Sequence, residues 1–438
     1  MGTTILLNIF IYASQTAASS CIIRLVYPPV KLSAADLCDR GCVVACRLFT
    51  ITLCPIRDEH IRISRMAPND KRVNILDLTP TQLKDFVRLL GGTTSQADLI
   101  SKSIYREGAD GFAAMAELDP ALRQKLAESA RLGTLEQLEG TVSSDGQTRK
   151  LLLRLEDGKT IESALMFSRD TRTGRERHTV CVSSQVGCSI GCRFCATGQQ
   201  GFERNLSPGE IIEQVLFFVR RFNNQTEEKP KAGRRGWLTN VVFMGMGEPL
   251  ANYAHVRQAI AMLNLPKGIG LGPHQVTLST AGLAPQIRQL AEEDLGFQLA
   301  VSLHAAEDKL RNRLVPINRK FPLEQLIAAC KEYNDKTGKN IFIEYALFKG
   351  LNDSINEAAE LVSLLDGLKC SINLILGNPT GSGDFQPSTR EDALSFQKKL
   401  INSGIRTMLR ISRGADIEAG CGQLRSRYLG SPSQPPAR

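Results

Sequence analysis

The amino-acid sequence predicts an α/β protein, a partial (βα)6 barrel of the TIM type that follows a small N-terminal helical domain and a β-hairpin. Two observations predict this fold. From Thr179 onward, short apolar runs alternate with amphipathic helical stretches, the pattern of parallel strands joined by crossover helices. Before that, between Asn74 and residue 131, apolar residues recur with helical spacing. The composition, 42% hydrophobic and 23% charged in 438 residues, excludes a disordered or fibrous chain.

The composition also limits the function. Lys and Arg outnumber Asp and Glu by 54 to 45, and the net charge of +9 is compatible with a polyanionic partner without proving one. Twelve cysteines are too sparse for a disulfide scaffold in a chain of this length, so their clustering matters more than their number. The sequence contains no run of about 18 apolar residues, and we therefore expect no membrane partner.

Residues 1–65 are predicted to be a disordered leader or transit-like extension. They begin with an apolar run at 5–12 and hold few acidic residues, but the lack of an early basic residue is unfavourable for a secretory signal. A transit peptide and an upstream extension before a start at Met66 both remain open. Three cysteines recur every four residues, and on a helix they would share one face. The alternative is that they are simply small apolar residues in an unfolded leader. They are Cys38, Cys42 and Cys46.

Residues 66–148 are predicted to form the N-terminal helical domain. Its first helix begins at Thr79 and Pro80 and ends at Gly91 and Gly92, with an apolar stripe between them. Further helices are predicted over 96–106, 110–117 and 119–131. Residues 149–170 then alternate as a β-hairpin connector whose turn is at 156–158.

Residues 171–428 are predicted to form the barrel, and residues 429–438 a flexible tail. The predicted strands cover 179–184, 240–246, 275–280, 298–304, 341–347, 371–376 and 407–411. The predicted helices cover 208–222, 253–264, 283–293, 323–335, 355–366 and 389–403. In such barrels the chemistry takes place where the strands end, so the residues that follow each strand are the candidates for a site.

The first barrel strand leads into a CxxxCxxC motif formed by Cys188, Cys192 and Cys195. Three thiolates on a loop that leaves a parallel strand can bind three irons of a 4Fe-4S cluster and leave the fourth iron open to a substrate. A structural zinc site normally needs a fourth ligand at its own short spacing, and none follows. Three scattered structural cysteines are the remaining alternative.

Small polar residues follow the other strands at the same predicted edge. Gly247 and Glu248 follow the second strand, where glycine lets the backbone approach a ligand and a carboxylate can accept hydrogen bonds from it. The alternatives are a polar turn at this position and, for a histidine at a strand end, a hydrogen-bonded core residue. The later strands lead to Ser279, Ser302, Leu303, His304 and Asn378. Together these residues predict a site for one polar cofactor.

Longer segments carry a family resemblance. They read Cys181-Val-Ser-Ser-Gln-Val-Gly-Cys188, Gln199-Gln-Gly-Phe202, Gly245-Met-Gly-Glu-Pro-Leu250, Val315-Pro-Ile-Asn318 and Asp416-Ile-Glu-Ala-Gly-Cys421-Gly-Gln-Leu424. The cysteine motif, with Phe194 before its last cysteine, resembles the signature of radical S-adenosylmethionine (SAM) enzymes. All the segments together resemble the RlmN/Cfr family of radical SAM RNA methyltransferases over residues 70–428. The RlmN branch, which methylates carbon 2 of adenine, is nearer than the Cfr branch, which methylates carbon 8.

The resemblance implies a 4Fe-4S cluster and SAM as cofactors, with adenine carbon 2 of large-subunit rRNA, and also of tRNA, as the substrate. It implies Cys188, Cys192 and Cys195 as cluster ligands. It implies SAM contacts at Gly247, Glu248, Ser279, Ser302, Leu303, His304 and Asn378. Cys421 matches the methyl-carrying cysteine, and Cys181 the cysteine that attacks it to release the product and leave a disulfide. Glu162 aligns with the family's proton acceptor, a solvated hairpin carboxylate being the alternative.

The implied reaction is chemically consistent, because adenine carbon 2 is not nucleophilic and cannot be reached by ordinary polar methyl transfer. By the resemblance, a radical from a second SAM removes hydrogen from the methyl group on Cys421, and the product radical adds to the ring. An oxygen-sensitive cluster and a transient disulfide both require a reducing compartment. We therefore expect a cytoplasmic protein, or a plastid or mitochondrial one if residues 1–65 are a transit peptide, and not a secreted one.

The expected partners are RNA and an electron donor such as flavodoxin or ferredoxin, and the protein is expected to be a monomer. Basic residues near the site can neutralise phosphates, with solvated surface charge as the alternative. They are Arg169, Arg172, Arg175, Arg177, His178, Lys229, Lys231, Arg234, Arg235, Arg410, Arg413, Arg425 and Arg427. No aromatic RNA-recognition motif is visible, which favours extrusion of the adenine into the barrel mouth.

The chain departs from the family pattern in three places. The family commonly has an aromatic residue where Gly377 stands, the loop 225–236 is longer than usual, and the extension before Met66 has no counterpart. Two rival functions remain open: a Cfr-like carbon-8 methyltransferase, and an inactive RNA-binding or iron–sulfur relative. The joint presence of Cys181, Glu162, Cys421 and the three cluster cysteines argues against loss of catalysis.

Overall fold

The structure is a computed structural model. It describes residues 72–169, 174–223, 237–266, 268–293, 295–377 and 385–410, with Ala45–Cys46, Phe49–Thr50 and Ile417. The predictions for Asn378, Cys421 and the tail lie outside the described residues. The chain divides into two compact units, Met1–Asn69 and Asp70–Arg438. In the first, Ala45–Cys46 pairs antiparallel with Phe49–Thr50, so Cys46 lies in a strand and not on a helix.

The N-terminal part of the second unit is helical, as predicted. Its helices are α1 (Pro80–Leu89), α2 (Thr94–Lys102) and α3 (Pro120–Ser129). Capping boxes of Thr79 with Gln82 and of Thr93 with Gln96 begin the first two helices, because each pair satisfies backbone N–H groups that the helix leaves open. The helix predicted over 110–117 is reduced to a 3-10 turn, Phe112–Ala114.

One mixed sheet organises the rest of the described chain. Its ten strands lie side by side in chain order. They are β1 (Glu136–Val142), β2 (Thr148–Arg154), β3 (Thr160–Arg169), β4 (Glu176–Cys181), β5 (Asn240–Phe243), β6 (Val276–Thr280), β7 (Gln298–Ser302), β8 (Ile341–Leu347), β9 (Cys370–Leu376) and β10 (Thr407–Arg410). Adjacent strands run antiparallel from β1 to β4 and parallel from β4 to β10. The predicted partial barrel is thereby confirmed.

Strand β1 was not predicted, because its residues alternate poorly and one edge has no neighbour among the described strands. It pairs with β2. The predicted hairpin of β2 and β3 therefore forms, together with β1, a three-stranded antiparallel extension of the barrel sheet. The extension is continuous with the barrel, since β3 pairs with β4. Residues of the hairpin and of the barrel can therefore share one face of the sheet.

Helices separate the parallel strands. They are α4 (Pro208–Asn223), α5 (Tyr253–Asn264), α6 (Ala284–Ala291), α7 (Asp308–Leu314), α8 (Leu323–Thr337), α9 (Ile355–Leu364) and α10 (Arg390–Asn402). Six were predicted; α7 was not, because it is short and mostly charged. Each helix in the described part of the chain is too short or too polar to cross a bilayer.

Candidate active site

The strand register brings the predicted site residues of β3, β4, β6 and β7 onto one face of the sheet. Side chains of paired residues, and of residues two apart on one strand, point to the same face. By this rule Glu162, Cys181, Ser279 and Ser302 share a face, which we call the inner face. The pairs that establish it are Ala164 with Cys181, Cys181 with Val242, Val242 with Thr277, and Ser279 with Ala300.

The cysteine loop is held at its base by a short hairpin. Gln185–Gly187 pairs with Phe202–Asn205, and the N–H of Cys188 donates to the Gly201 carbonyl at 2.8 Å. Gly187 has a φ of +73°, and a Cβ there would lie 2.0 Å from the Gly201 oxygen, so the turn requires glycine. The loop thus leaves β4 along a defined path and presents its three cysteines together.

Burial raises the pKa of the Cys188 thiol to about 12, and negative charge on Glu248 and Cys195 adds to the effect. The pKa of Cys192 is raised well above its ordinary value by burial and then by Cys195 and Cys188. The three thiols are therefore close enough for the charge of one to disfavour ionisation of another. Among the described residues, no group of three or more His, Cys, Asp or Glu side chains is arranged to hold a metal ion.

The chemistry of the donor set fits a 4Fe-4S cluster, in which each of three thiolates binds a different iron. Thiols buried near one another are hard to ionise by themselves, and coordination to a metal deprotonates them. Cys188, Cys192 and Cys195 are therefore the residues that could hold the cluster.

The residues after β5 form a tight buried turn beside that loop. Gly247 has a φ of +100°, and the buried Glu248 accepts from the N–H of Leu250 at 3.0 Å and from that of Ala281 at 2.7 Å. Burial raises the pKa of Glu248 to about 7 against these hydrogen bonds. The carboxylate links the β5 and β6 ends, and its remaining lone pairs can still accept from a ligand.

Replacing Gly247 with alanine should destabilise the protein, and it should weaken about tenfold the SAM binding that the family resemblance implies at this turn. The left-handed backbone costs a non-glycine residue about 1–2 kcal/mol. In addition, the new Cβ would lie 2.6 Å from the Gln185 Cβ and 2.7 Å from its backbone nitrogen. Calorimetric titration of the reconstituted protein with SAM measures the effect. The control is Gly350→Ala, which has a φ of +69° but meets nothing within 4 Å; equal SAM affinities in the two variants would contradict the prediction.

His304 joins the end of β7 to the cysteine loop. Its Nδ1 accepts from the Ala346 N–H at 3.0 Å, and its ring packs edge-on against Phe194 with centroids 4.8 Å apart. Burial lowers the pKa of His304 to about 3, so the ring is neutral and carries its proton on Nε2. Its φ of 60° is the one positive value among non-glycine residues in the described chain, a strained conformation typical of functional positions. The core-residue alternative describes its contacts equally well.

Glu162 is not the solvated carboxylate left open as an alternative. It is 4% exposed, and its carboxylate lies 3.6 Å from the ammonium of Lys150, which is also 4% exposed. The Ser183 hydroxyl donates to the Glu162 carbonyl at 2.5 Å and accepts from the Met246 N–H at 2.8 Å. The backbone of Glu162 is therefore tied through Ser183 to the turn that holds Glu248.

Three polar residues at the barrel were missed by the sequence analysis. The first is the fully buried Arg311 of α7. The others are Glu344 and Asn373, which continue the inner face from Ser302 and are joined by a hydrogen bond of 2.7 Å. Glu344 and Asn373 could have been noticed as polar residues within apolar strand segments. Nothing in the sequence distinguishes Arg311 from Arg313.

The described basic residues are partly engaged within the protein. The Arg177 guanidinium donates to Asn240, the His178 ring contacts the Trp237 carbonyl at 2.7 Å, and Arg169 donates to the Gly174 carbonyl at 3.1 Å. The loop lysines and arginines, Arg172, and Arg413, Arg425 and Arg427 lie outside the described residues, whereas Arg410 ends β10.

Gly377, where the family pattern has an aromatic residue, lies against the ring of Phe348. A Cβ at this position would lie 2.4 Å from the Phe348 ring, so the ring covers the position where the family pattern has an aromatic side chain. Phe348 also packs against Phe194 of the cysteine loop, with centroids 5.3 Å apart. An aromatic surface therefore lies beside the loop, supplied by Phe348, which follows β8.

Comparisons with known proteins agree with this geometry. Residues 182–362 match the model of the Radical SAM superfamily, and residues 73–132 match that of the Ribosomal RNA large subunit methyltransferase N-terminal domain. The chain is 42% identical over 364 residues to the Dual-specificity RNA methyltransferase RlmN of Nitratiruptor sp., covering 82% of this chain and 99% of that one. It is also 42% identical to RlmN 1 of Myxococcus xanthus, covering 82% and 96%. A crystal structure of a radical SAM methyltransferase from Sphaerobacter thermophilus has a TM-score of 0.74 and 42% identity over 80% of this chain and 98% of that one.

Proposed function

This chain belongs to the RlmN family of radical SAM RNA methyltransferases, and from that premise we propose that it methylates carbon 2 of an adenine in large-subunit rRNA and in tRNA. The observation that supports this most is the common inner face of Cys181, Glu162, Ser279 and Ser302. That face puts redox, acid–base and small polar groups on one side of the barrel sheet.

The proposed cofactors are a 4Fe-4S cluster on Cys188, Cys192 and Cys195, and SAM at the ends of the neighbouring strands. When bound, they supply a radical able to remove hydrogen from an unactivated methyl group. The SAM contacts are proposed at Gly247, Glu248, Ser279, Ser302, Leu303, His304 and Asn378. The neutral His304 and the buried Glu248 then offer one donor and one acceptor in a site shielded from water.

The chain's own residues carry the methyl group and resolve the product. Cys421 carries the group on its sulfur and is linked through that carbon to the adenine. Glu162 accepts the proton that the ring carbon loses, and the unpaired electron of the ring adduct would return to the cluster held by Cys188, Cys192 and Cys195. The Cys181 thiolate attacks the Cys421 sulfur, forming a disulfide and breaking the sulfur–carbon bond. The electron pair stays on the carbon, which is protonated to complete the methyl group.

The remaining parts of the proposal concern partners and domains. Residues 66–148 are proposed to bind RNA, which the family match at 73–132 supports. Residues 149–170 connect this domain to the catalytic core at 171–428. A flavodoxin- or ferredoxin-like protein supplies the electron in a reducing compartment, and the enzyme acts as a monomer.

Anaerobic reconstitution followed by mass mapping of methylated RNA tests the function. The expected product is 2-methyladenine, formed only with SAM and a reductant. Methylation at carbon 8 would favour the Cfr-like rival. An intact cluster with a working reductant and no methylated product would favour a relative without methyltransferase activity.

A further inference from the structure

Lys150 faces the two residues to which the proposed function gives acid–base and redox roles. It pairs with Ala164 on β3, and Ala164 pairs with Cys181 on β4. Since Glu162 is two residues before Ala164, the side chains of Lys150, Glu162 and Cys181 lie on the same face of the three strands. The alanine between Lys150 and Cys181 carries only a methyl group and leaves the space between the longer side chains open.

Lys150 and Glu162 form an ion pair away from solvent. Their side chains are 5% and 6% exposed, and Nζ lies 3.6 Å from Oε2. Lysine and glutamate are rarely buried to this extent unless they are paired, because each charge loses its hydration. A buried pair is weak evidence for stability and is often retained for another reason.

The position of Glu162 is restricted from the backbone side. Its N–H lies 3.2 Å from the Met246 Sδ, and its carbonyl accepts from Ser183. The strand that carries it is paired on both sides, with β2 and β4. The carboxylate therefore reaches Lys150 from a fixed base, on the face of the sheet that it shares with Cys181.

The charges of Glu162 and Lys150 affect how readily the Cys181 thiol ionises. The pKa of the Cys181 thiol is raised to about 12, mainly by burial; a backbone hydrogen bond from Met244 and the positive Lys150 oppose this rise, and the negative Glu162 contributes to it. On β1, the neutral Thr141 lies opposite Lys150, and the exposed Glu139 is on the same face. On β5, the neutral Val242 lies opposite Cys181. Without Lys150, a carboxylate and a thiolate would face each other in a poorly hydrated site.

We propose that Lys150 is a positioning residue that compensates the charge of Glu162 and so allows a carboxylate and a thiolate to be present together on the inner face. This inference rests on the proposed function, because it assumes that Glu162 accepts a proton and that Cys181 attacks as a thiolate. In this role Lys150 neither donates nor accepts the transferred proton. It holds the carboxylate in place and offsets its negative charge while the thiol ionises.

The test compares Lys150→Met, Lys150→Arg and Glu162→Gln in the full-length reconstituted enzyme. Single-turnover methylation should fall about 100-fold in Lys150→Met, the scale of a lost acid–base function, and should recover to within about tenfold of wild type in Lys150→Arg. Lys159→Met is the matched control, since Lys159 is on the same hairpin but pairs with Glu203 at the surface. Iron content and thermal unfolding show that each variant is folded, and Lys150→Gln replaces Lys150→Met if the latter does not fold.

A second readout is independent of methylation. At pH 8.5 and without RNA, iodoacetamide should alkylate Cys181 about tenfold more slowly in Lys150→Met than in wild type, because loss of the cation reduces the thiolate fraction. The half-buried Cys370 of β9 serves as the internal reference, followed by peptide mass mapping. The double variant Lys150→Met/Glu162→Gln should methylate no more slowly than Glu162→Gln, since the charge to be compensated is gone.

The outcomes separate this inference from the proposed function. Wild-type methylation or unchanged Cys181 alkylation in Lys150→Met overturns the role of Lys150 and leaves the proposed function standing. A double variant much slower than Glu162→Gln also overturns it, because Lys150 would then act apart from Glu162. Failure of the wild-type enzyme to methylate RNA refutes the proposed function, and the alkylation result then still reports the charge balance.

Discussion

Replacement of Arg311 by methionine should lower the free energy of unfolding by about 3–5 kcal/mol, because a buried hydrogen-bonded cation leaves its partners unsatisfied when it is removed. Its guanidinium donates to the carbonyls of Leu303 at 3.0 Å, Ala281 at 2.7 Å and Ser302 at 3.1 Å, and to the Asn318 side chain at 2.8 Å. The carbonyls belong to the ends of β6 and β7. The cation therefore holds together the edge where SAM is proposed to bind.

Urea unfolding of the reconstituted protein measures this loss, and SAM affinity should fall with it. Arg313→Met is the control, because Arg313 lies on the same helix, is exposed and should change stability by no more than about 0.5 kcal/mol. Equal unfolding midpoints for the two variants would show that the backbone acceptors at the strand ends find other partners.

Replacement of Cys181 by alanine should stop product release and accumulate a covalent protein–RNA adduct. The reason is chemical: the sulfur–carbon bond to Cys421 is broken only when a second sulfur attacks, and alanine has none. Cys181 is suited to this role because its chain position is fixed, with the Ser163 hydroxyl donating to its carbonyl at 2.8 Å. Denaturing gel electrophoresis of a single-turnover reaction with labelled RNA measures the adduct.

Two matched variants sharpen this result. Cys421→Ala should give neither adduct nor methylated RNA while it keeps its iron, because the methyl carrier is lost and the cluster cysteines are intact. Cys370→Ala, which removes another half-buried thiol, should behave as wild type. Clean turnover by Cys181→Ala would contradict the resolving role, and methylation by Cys421→Ala would refute the covalent mechanism.

The barrel could be predicted because its elements are marked by local patterns. The apolar runs at 341–347 and 298–304 lead to strands Ile341–Leu347 and Gln298–Ser302, since a strand buried on both faces must be apolar over a short length. Strand Glu136–Val142 and helix Asp308–Leu314 were missed for the converse reason. Their residues are polar, and neighbouring elements stabilise them more than their own pattern does.

The candidate site likewise contains residues that the sequence could indicate and residues that only the fold revealed. Cys188, Cys192 and Cys195 could be proposed as cluster ligands from their spacing alone, because ligands on one loop have a characteristic spacing in the sequence. Glu162 needed the family resemblance, and its burial against Lys150 became visible only in the fold. Arg311 lies outside the quoted motifs, and its contacts include the carbonyl of Ala281, 30 residues away. Glu344 and Asn373 meet across two neighbouring strands.

By itself, the sequence determined the alternation of strands and helices, the cysteine loop and the family, since each of these depends on residues a few positions apart. The tertiary structure alone decided which side chains meet. Strand register sets Lys150, Glu162 and Cys181 on one face, and a shift of one residue would send any of them to the opposite side. Register is fixed by packing over the whole sheet, and no short segment contains that information.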